Sequence, residues 1–197
     1  PDILITNKKI KNNNYKFIYK ILSFYFYEIK IKQNKISDKV KLIMPTSGTT
    51  ANPKMTMLSL ENIINNTQNI QKYLKLNKND QTITNLPLNY VYGLSIINTH
   101  LYSGGSIILT DKKVNERGHI DILKKNKITN INGVPITYEI LNAMKFNLKT
   151  IKKLRLITIA GGSLKKFVLD NLHKYLFKNI KIFFMYGAAE ATARMSY

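Results

Sequence analysis

The stretch Pro45-Thr46-Ser47-Gly48-Thr49-Thr50-Ala51-Asn52-Pro53-Lys54 brings four hydroxyl side chains, one glycine and one lysine into a single short segment. A loop of that make-up surrounds phosphate oxygens with hydroxyl and backbone N–H donors, and its lysine adds a mobile, strongly hydrated charge. The chemistry indicated is anion binding. A Walker-type phosphate loop needs a second glycine before the lysine and a magnesium-binding hydroxyl after it. Pro53 and Met55 stand at those places, which argues against a Walker NTPase.

The elements around the loop must hold it at the end of something rigid. An apolar run, Val40 to Met44, reads as a buried strand before it, and a helix begins near Ser59, a plausible N-cap with Glu61 in the first turn. Leu60, Ile63, Ile64, Thr67, Ile70 and Leu74 then recur at helical spacing. Further strands are expected at Thr82 to Leu86, Ser106 to Leu109, Ile128 to Ile131, Leu154 to Ile159 and Ile180 to Met185. Helices fall between them: one to about Tyr102, one over His119 to Asn126, one from Pro135 to about Met144, and one capped by Ser163. Alternation of this kind predicts an α/β fold with a largely parallel sheet, whose ligands sit at the carboxyl ends of the strands. The glycine-containing turns at Gly133, Gly161-Gly162 and Gly187 fall there. Before residue 40 the chain opens with the strand-like Ile3-Leu4-Ile5, and the aromatic, lysine-bearing segment Tyr15 to Lys32 reads as a helix and edge strand.

Five stretches in order resemble the adenylate-forming superfamily of acyl-CoA synthetases, non-ribosomal adenylation domains and luciferases. Thr46-Ser47-Gly48-Thr49-Thr50 with Asn52-Pro53-Lys54 is similar to that family's phosphate loop, T-S-G-[ST]-T-G-x-P-K-G. Leu86-Pro87-Leu88-Asn89-Tyr90-Val91-Tyr92-Gly93 resembles the segment that borders the carboxylate substrate, and Gly133-Val134-Pro135 a turn before a helix of the same domain. Ala160-Gly161-Gly162-Ser163-Leu164 resembles the turn against adenine, and Tyr186-Gly187-Ala188-Ala189-Glu190 the Y-G-x-T-E motif. The resemblance covers roughly residues 40 to 197, with residues 1 to 39 a partial N-terminal segment. It implies part of the large N-terminal domain of an enzyme that attacks the α-phosphorus of ATP with a carboxylate and then passes the acyl group to CoA or a carrier-protein pantetheine.

By that resemblance Thr46, Ser47, Gly48, Thr49, Thr50 and Lys54 hold the β- and γ-phosphates, with Lys54 and Glu190 as the catalytic pair and Glu190 as the Mg²⁺ ligand. Gly161, Gly162, Ser163, Tyr186, Gly187 and Ala188 bind the nucleotide, and Tyr90 and Gly93 line the acid pocket. The cofactors implied are ATP, Mg²⁺ and CoA or phosphopantetheine; the partners are a small carboxylic acid and an acyl carrier protein. Ala51 and Met55 stand where the family has glycine, and Ala189 where it has a phosphate-contacting threonine. A missing hydrogen bond of that kind slows a reaction roughly 10- to 100-fold when it forms in the transition state.

Composition bounds the alternatives. The 197 residues are 44% hydrophobic, ample for a core, and contain no cysteine, which excludes disulfides, thiolate metal sites and cysteine nucleophiles. His100, His119 and His173 lack metal-ligand spacing and read as surface or interface histidines. The charge is +20, from 31 Lys and Arg against 11 Asp and Glu. Lysines spread over every element alongside abundant asparagine and isoleucine point to coding bias rather than to a nucleic-acid footprint, so no nucleic-acid partner is expected. No apolar run approaches the ~20 residues that span a bilayer, so no stable membrane insertion and a cytoplasmic location are expected. Pro1 in place of an initiator and an end directly after the Tyr186 motif suggest a piece of a longer polypeptide. The ribose-binding aspartate, hinge arginine and mobile lysine that the resemblance implies would lie beyond Tyr197, and residues 1 to 197 alone should bind ATP weakly and turn over negligibly. A degenerate, non-catalytic relic of such an enzyme is the second reading, and a basic nucleic-acid or membrane-surface module the third.

Overall fold

The computed structural model describes residues 3–6, 9–11, 15–21, 24–29, 36–46, 54–174 and 179–196. They form two compact units, Pro1–Ser37 and Asp38–Tyr197.

The first unit holds β1 (Ile3–Thr6), β2 (Tyr15–Ile21) and β3 (Phe24–Ile29) in an antiparallel sheet of order β1-β3-β2. The helix expected within Tyr15 to Lys32 is therefore corrected to a pair of strands over Tyr15 to Ile29. In Tyr15-Lys16-Phe17-Ile18-Tyr19-Lys20 every residue but the lysines is aromatic or β-branched, a composition that favours a pleated strand over a helix. Tyr27 is buried, and its hydroxyl accepts the Ile10 N–H at 2.7 Å.

The second unit opens with β4 (Val40–Pro45) paired antiparallel to β5 (Met55–Ser59). This corrects the reading of Val40 to Met44 as a buried strand. Met44 is buried, but Lys41 and Ile43 face outward, because a two-stranded ribbon has only one face to bury. The Thr46 N–H donates to the Lys54 carbonyl at 2.8 Å, so the ribbon's ends bring the two flanks of the hydroxyl-rich loop together. Ser59 then caps α1 (Leu60–Leu74) as expected. Its side chain accepts the Asn62 N–H while the Asn62 side chain accepts the Ser59 N–H, satisfying two orphan donors reciprocally.

Five parallel strands follow: β6 (Gln81–Thr84), β7 (Ser106–Leu109), β8 (Asn130–Gly133), β9 (Leu156–Ala160) and β10 (Lys181–Met185). Their order is β10-β9-β8-β6-β7, and all pairings are parallel. Between them lie α2 (Val91–Tyr102), α3 (Arg117–Lys125), α4 (Pro135–Ala143) and α5 (Lys166–His173). These strand ends lie within two residues of the periodicity reading. Ser163 does not cap α5, however. Gly161 and Gly162 hold φ values of +87° and +154°, the chain stays non-helical through Lys165, and Lys165 is the N-cap residue.

The two faces of this sheet differ in chemistry. Ile83, Ile131, Ile157 and Ile159 join the main core with side chains from α3, α4 and α5. On the opposite face, Leu156 packs against Ile70 and Leu74 of α1, while Thr82, Asn130, Asn132 and Thr158 are buried under α2. There the Tyr92 hydroxyl lies 2.8 Å from Thr158 Oγ1, which donates to Asn132 Oδ1 at 2.5 Å, and Asn132 Nδ2 donates to Thr82 Oγ1 at 2.8 Å. Asn130 Nδ2 faces His100 Nε2 at 3.0 Å, and His100 Nδ1 faces the Ile96 carbonyl at 2.8 Å. Buried polar groups need such partners, and these groups supply them to one another except at Asn130 Oδ1, which has none among the described residues. His100 and His119 are thus interior residues, correcting the expectation of surface or interface histidines. No helix of the described residues is long and apolar enough to cross a membrane.

Candidate functional site

β7 lies on one side of β6, and β8, β9 and β10 lie on the other, so the strand order reverses at β6. A crevice opens at the carboxyl ends of the strands beside such a reversal. A cavity of about 970 Å³ occupies it, lined by the Leu86–Val91 segment, the turns after β8, β9 and β10, and Thr46 from the hairpin.

Each turn has a local reason for its glycine. A Cβ on Gly161 would sit 2.6 Å from the Tyr90 hydroxyl, at a φ of +87° that residues with a Cβ rarely adopt. Gly133 lets the start of α4 close over it, since a Cβ there would meet the Thr137 side chain at 2.7 Å. Gly187 has the tightest surroundings, because a Cβ would overlap the Ala193 carbonyl. The chain returns there: Tyr186 N–H donates to Ser196 C=O at 3.0 Å, and Met195 N–H to Tyr186 C=O at 2.8 Å. Inside this return lie a 3-10 turn, Ala189–Ala191, and two non-glycine residues at positive φ, Thr192 at +67° and Ala193 at +152°. Asn66 of α1 ties the return down, its Nδ2 donating to the carbonyls of Ala191 and Arg194 at 3.2 and 2.9 Å.

The wall grades from open to closed. Among its lining residues Tyr186 is 66% exposed, Tyr90 half-buried and Arg194 6% exposed, while Tyr92, outside the lining, is 3% exposed. The Tyr90 and Tyr92 rings meet edge to face at 6.2 Å, and the Arg194 guanidinium lies 5.0 Å above the Tyr92 ring. Burial pushes the Tyr90 hydroxyl up from 10.0 and the Tyr92 hydroxyl up to about 12, so both stay protonated and able to donate. Arg194 Nη1 contacts Met185 Sδ at 3.0 Å, and its Nε is buried with no hydrogen-bond partner among the described residues.

Of the residues singled out from sequence, Thr46, Tyr90, Gly161, Gly162, Ser163, Tyr186, Gly187 and Ala188 line this one cavity. Lys54 is exposed beside Thr46. Glu190 is exposed in the 3-10 turn next to the lining residues Ala188 and Ala189, outside the wall itself. Gly93, expected to line the acid pocket, is not among the residues that line this cavity. It is buried in α2, and a Cβ there would press on the Pro87 carbonyl at 2.6 Å. Ser47, Gly48, Thr49 and Thr50 lie outside the described residues, as does Ala51. Arg194, which lines the cavity, was missed, because nothing local in sequence marks it as buried.

A single carboxylate, Glu190, stands by the cavity turns, and among the described residues no group of three or more His, Cys, Asp or Glu could hold a metal. Mg²⁺ bound through one carboxylate and substrate phosphates fits such a donor set, whereas an all-protein metal cage does not. The Gly161-Gly162 turn, free of Cβ atoms on the cavity side of Tyr90, and the exposed Tyr186 ring suit a flat heterocycle.

The family model described as AMP-binding enzyme matches residues 6–197. Indoleacetate–CoA ligase of Aromatoleum aromaticum is 27% identical over 157 residues, which are 79% of this chain and 30% of that protein. 2-Succinylbenzoate–CoA ligase of Oceanobacillus iheyensis is 28% identical over 167 residues, covering 85% of this chain and 34% of that protein. ATP-bound MatB from Rhodopseudomonas palustris superposes with a TM-score of 0.67 at 26% identity, over 83% of this chain and 32% of that one. The mixed α/β fold with its five-stranded parallel sheet is that of the N-terminal domain of adenylate-forming enzymes. The chain spans about a third of the length of these relatives.

Proposed function

This chain belongs to the AMP-binding enzyme family, and from that premise we propose that the protein activates a carboxylic acid with ATP and delivers it to a thiol. A carboxylate oxygen attacks the α-phosphorus, the bond to the bridging oxygen breaks, and pyrophosphate leaves. The thiol sulfur of CoA or of a carrier-protein pantetheine then attacks the acyl carbon, loses its proton, and AMP departs. Acid–CoA ligases among the relatives support CoA as the acceptor.

The observation that carries this reading is the convergence of three turns, at Tyr90, Gly161-Gly162 and Tyr186-Gly187, on one cavity at the carboxyl ends of the sheet. Two anions must meet there, so positioning and neutralisation of charge carry the catalysis. Thr46 and Lys54 flank the loop that would take the β- and γ-phosphates, with Ser47, Gly48, Thr49 and Thr50 as its donors. Gly161, Gly162, Ser163, Tyr186, Gly187 and Ala188 would hold the nucleoside. Glu190 would hold magnesium, which when bound neutralises charge on phosphate oxygens. The protonated Tyr90 hydroxyl borders the acid.

Acid-dependent exchange of labelled pyrophosphate into ATP, run on the protein as its gene encodes it with a panel of aryl, amino and fatty acids, tests the reading. Exchange with one or more acids, lost in Lys54→Ala and Glu190→Gln, is the expected result. ATP binding without exchange for any acid would leave a nucleotide-binding relic in its place.

A further inference from the structure

Among the described residues Arg194 is a buried cation without a counter-charge. It is 6% exposed, its Nε has no partner among the described residues, Nη1 meets the weak acceptor Met185 Sδ, and the Tyr92 ring lies under its plane. The two side chains it touches, Tyr92 and Met185, belong with Ile96 and Ala160 to an apolar cluster. Among the described residues no carboxylate lies within ion-pair distance of it; Glu190, four residues earlier, is exposed. A ring face offsets part of the cost of burying a guanidinium, and a thioether very little. A buried charge is otherwise paired, so the missing partner arrives with a ligand.

Arg194 lines the same cavity as the glycine turns and is the most buried polar side chain of that lining. On the proposed reading, the phosphates meet the hairpin loop and the nucleoside meets Gly161 and the two-thirds exposed Tyr186, at the open end. What reaches an apolar floor must be attached to an apolar body, and in this reaction that body is the acyl part of the acid. Resting on that reading, we propose that Arg194 is the residue that receives a carboxylate of the acid substrate, in a two-point contact for which the fork of a guanidinium, unlike an ammonium, is shaped. The backbone strain at Thr192 and Ala193 and the two hydrogen bonds from Asn66 fix the segment that aims it.

Calorimetric titration of the gene-encoded protein with acids in the absence of nucleotide, and separately with ATP·Mg²⁺, tests this. The probes are hexanoate, adipate, benzoate and terephthalate, on wild type, Arg194→Met and Arg194→Lys, each checked by thermal melt. Arg194→Met should weaken acid binding at least about 10-fold and leave ATP affinity within about twofold, with Arg194→Lys in between. A loss confined to the diacids assigns Arg194 to the far carboxylate; a loss for all acids assigns it to the reacting one. Unchanged acid affinity in Arg194→Met, loss of ATP affinity alone, or no binding of any acid to a wild type that binds ATP overturns the proposal. If Arg194→Met does not fold, wild-type affinities for adipate and adipamide, which differ at both carboxyl ends, decide, and equality overturns it. A wild type that binds acid through Arg194 yet shows no pyrophosphate exchange would sink the proposed reaction and leave this assignment standing.

Discussion

Arg155 grips Asp80 at two points, Nε to Oδ1 at 2.8 Å and Nη2 to Oδ2 at 2.5 Å. Asp80 also accepts from the Asn77 N–H and the Thr129 hydroxyl at 2.9 and 2.8 Å, and its side chain is 2% exposed. Asp80, Thr129 and Arg155 each precede a strand, β6, β8 and β9, so the pair bolts three strands at the end of the sheet away from the cavity. Burial pushes the Asp80 carboxyl up, but Arg155, Asn77 and Thr129 outweigh it and hold it below 3.8.

Arg155→Ala strands that carboxylate and should lower stability by about 3 kcal/mol, read as a drop in the urea midpoint. Because the folded carboxyl titrates lower than the unfolded one, the pair's contribution is complete above pH 3.8 and disappears as pH falls through the lower folded value. Wild type and Arg155→Ala should therefore converge in stability at strongly acid pH.

His100 gives a second pH dependence of the same sign. Its Nδ1 faces a carbonyl and must donate, so Nε2 accepts from Asn130 and the ring is neutral. Burial lowers its proton affinity, and that of His119, below the usual 6.5. The unfolded imidazoles protonate first as pH falls, so stability should decline below pH 6.5 by up to about 1.4 kcal/mol per unit for each ring. Denaturation midpoints between pH 7.5 and 5.5 should fall less steeply in His100→Gln; an unchanged slope would remove His100 from the account.

Gly161→Ala combines an unfavourable φ with a collision against the Tyr90 hydroxyl, and should cost about 2 kcal/mol. Tyr90→Phe removes the atom struck. The double variant should recover part of the loss, while full additivity in a double-mutant cycle would contradict the contact.

Gly187→Ala should act on the site more than on the fold, because the overlap with the Ala193 carbonyl lies in the returning segment, outside the main apolar cluster of the sheet. Its ATP·Mg²⁺ affinity should fall at least about 10-fold, with a melting temperature within roughly 5 °C of wild type. Unchanged affinity would detach this turn from nucleotide binding.

Ala189 is buried on the cavity wall where the family has threonine. Ala189→Thr restores a hydroxyl and should raise the rate of acid-dependent pyrophosphate exchange by about 10-fold. No gain would place that hydroxyl outside the transition state.

Much of the second unit was legible in the chain because glycine turns and apolar runs punctuate it. Gly161-Gly162 and Tyr186-Gly187 announced their place at strand ends, and the structure brings them to one cavity. Thr82-Ile83-Thr84 and Asn130-Ile131-Asn132, by contrast, alternate as strands with one wet face do, yet both faces are buried. Only the arrival of α2, with Tyr92 and His100 to satisfy them, makes that alternation compatible with the interior. Arg194 was illegible for a similar reason: its burial depends on contacts with Tyr92 and on the tie from Asn66, both remote in sequence. The hairpin partner β5 was missed because Met55-Thr56-Met57-Leu58 is short and ran into the helical period from Ser59.

Asn66 has a mechanical consequence. α1 begins directly at the end of β5, and so continues from the hairpin whose ends flank the hydroxyl-rich loop, while from its second turn the Asn66 amide holds the return segment of Glu190 and Arg194. β5 itself lies against the 3-10 turn of that segment. One helix thus serves as a common strut for two parts of the chain more than a hundred residues apart in sequence, so that a force applied to either is transmitted to the other.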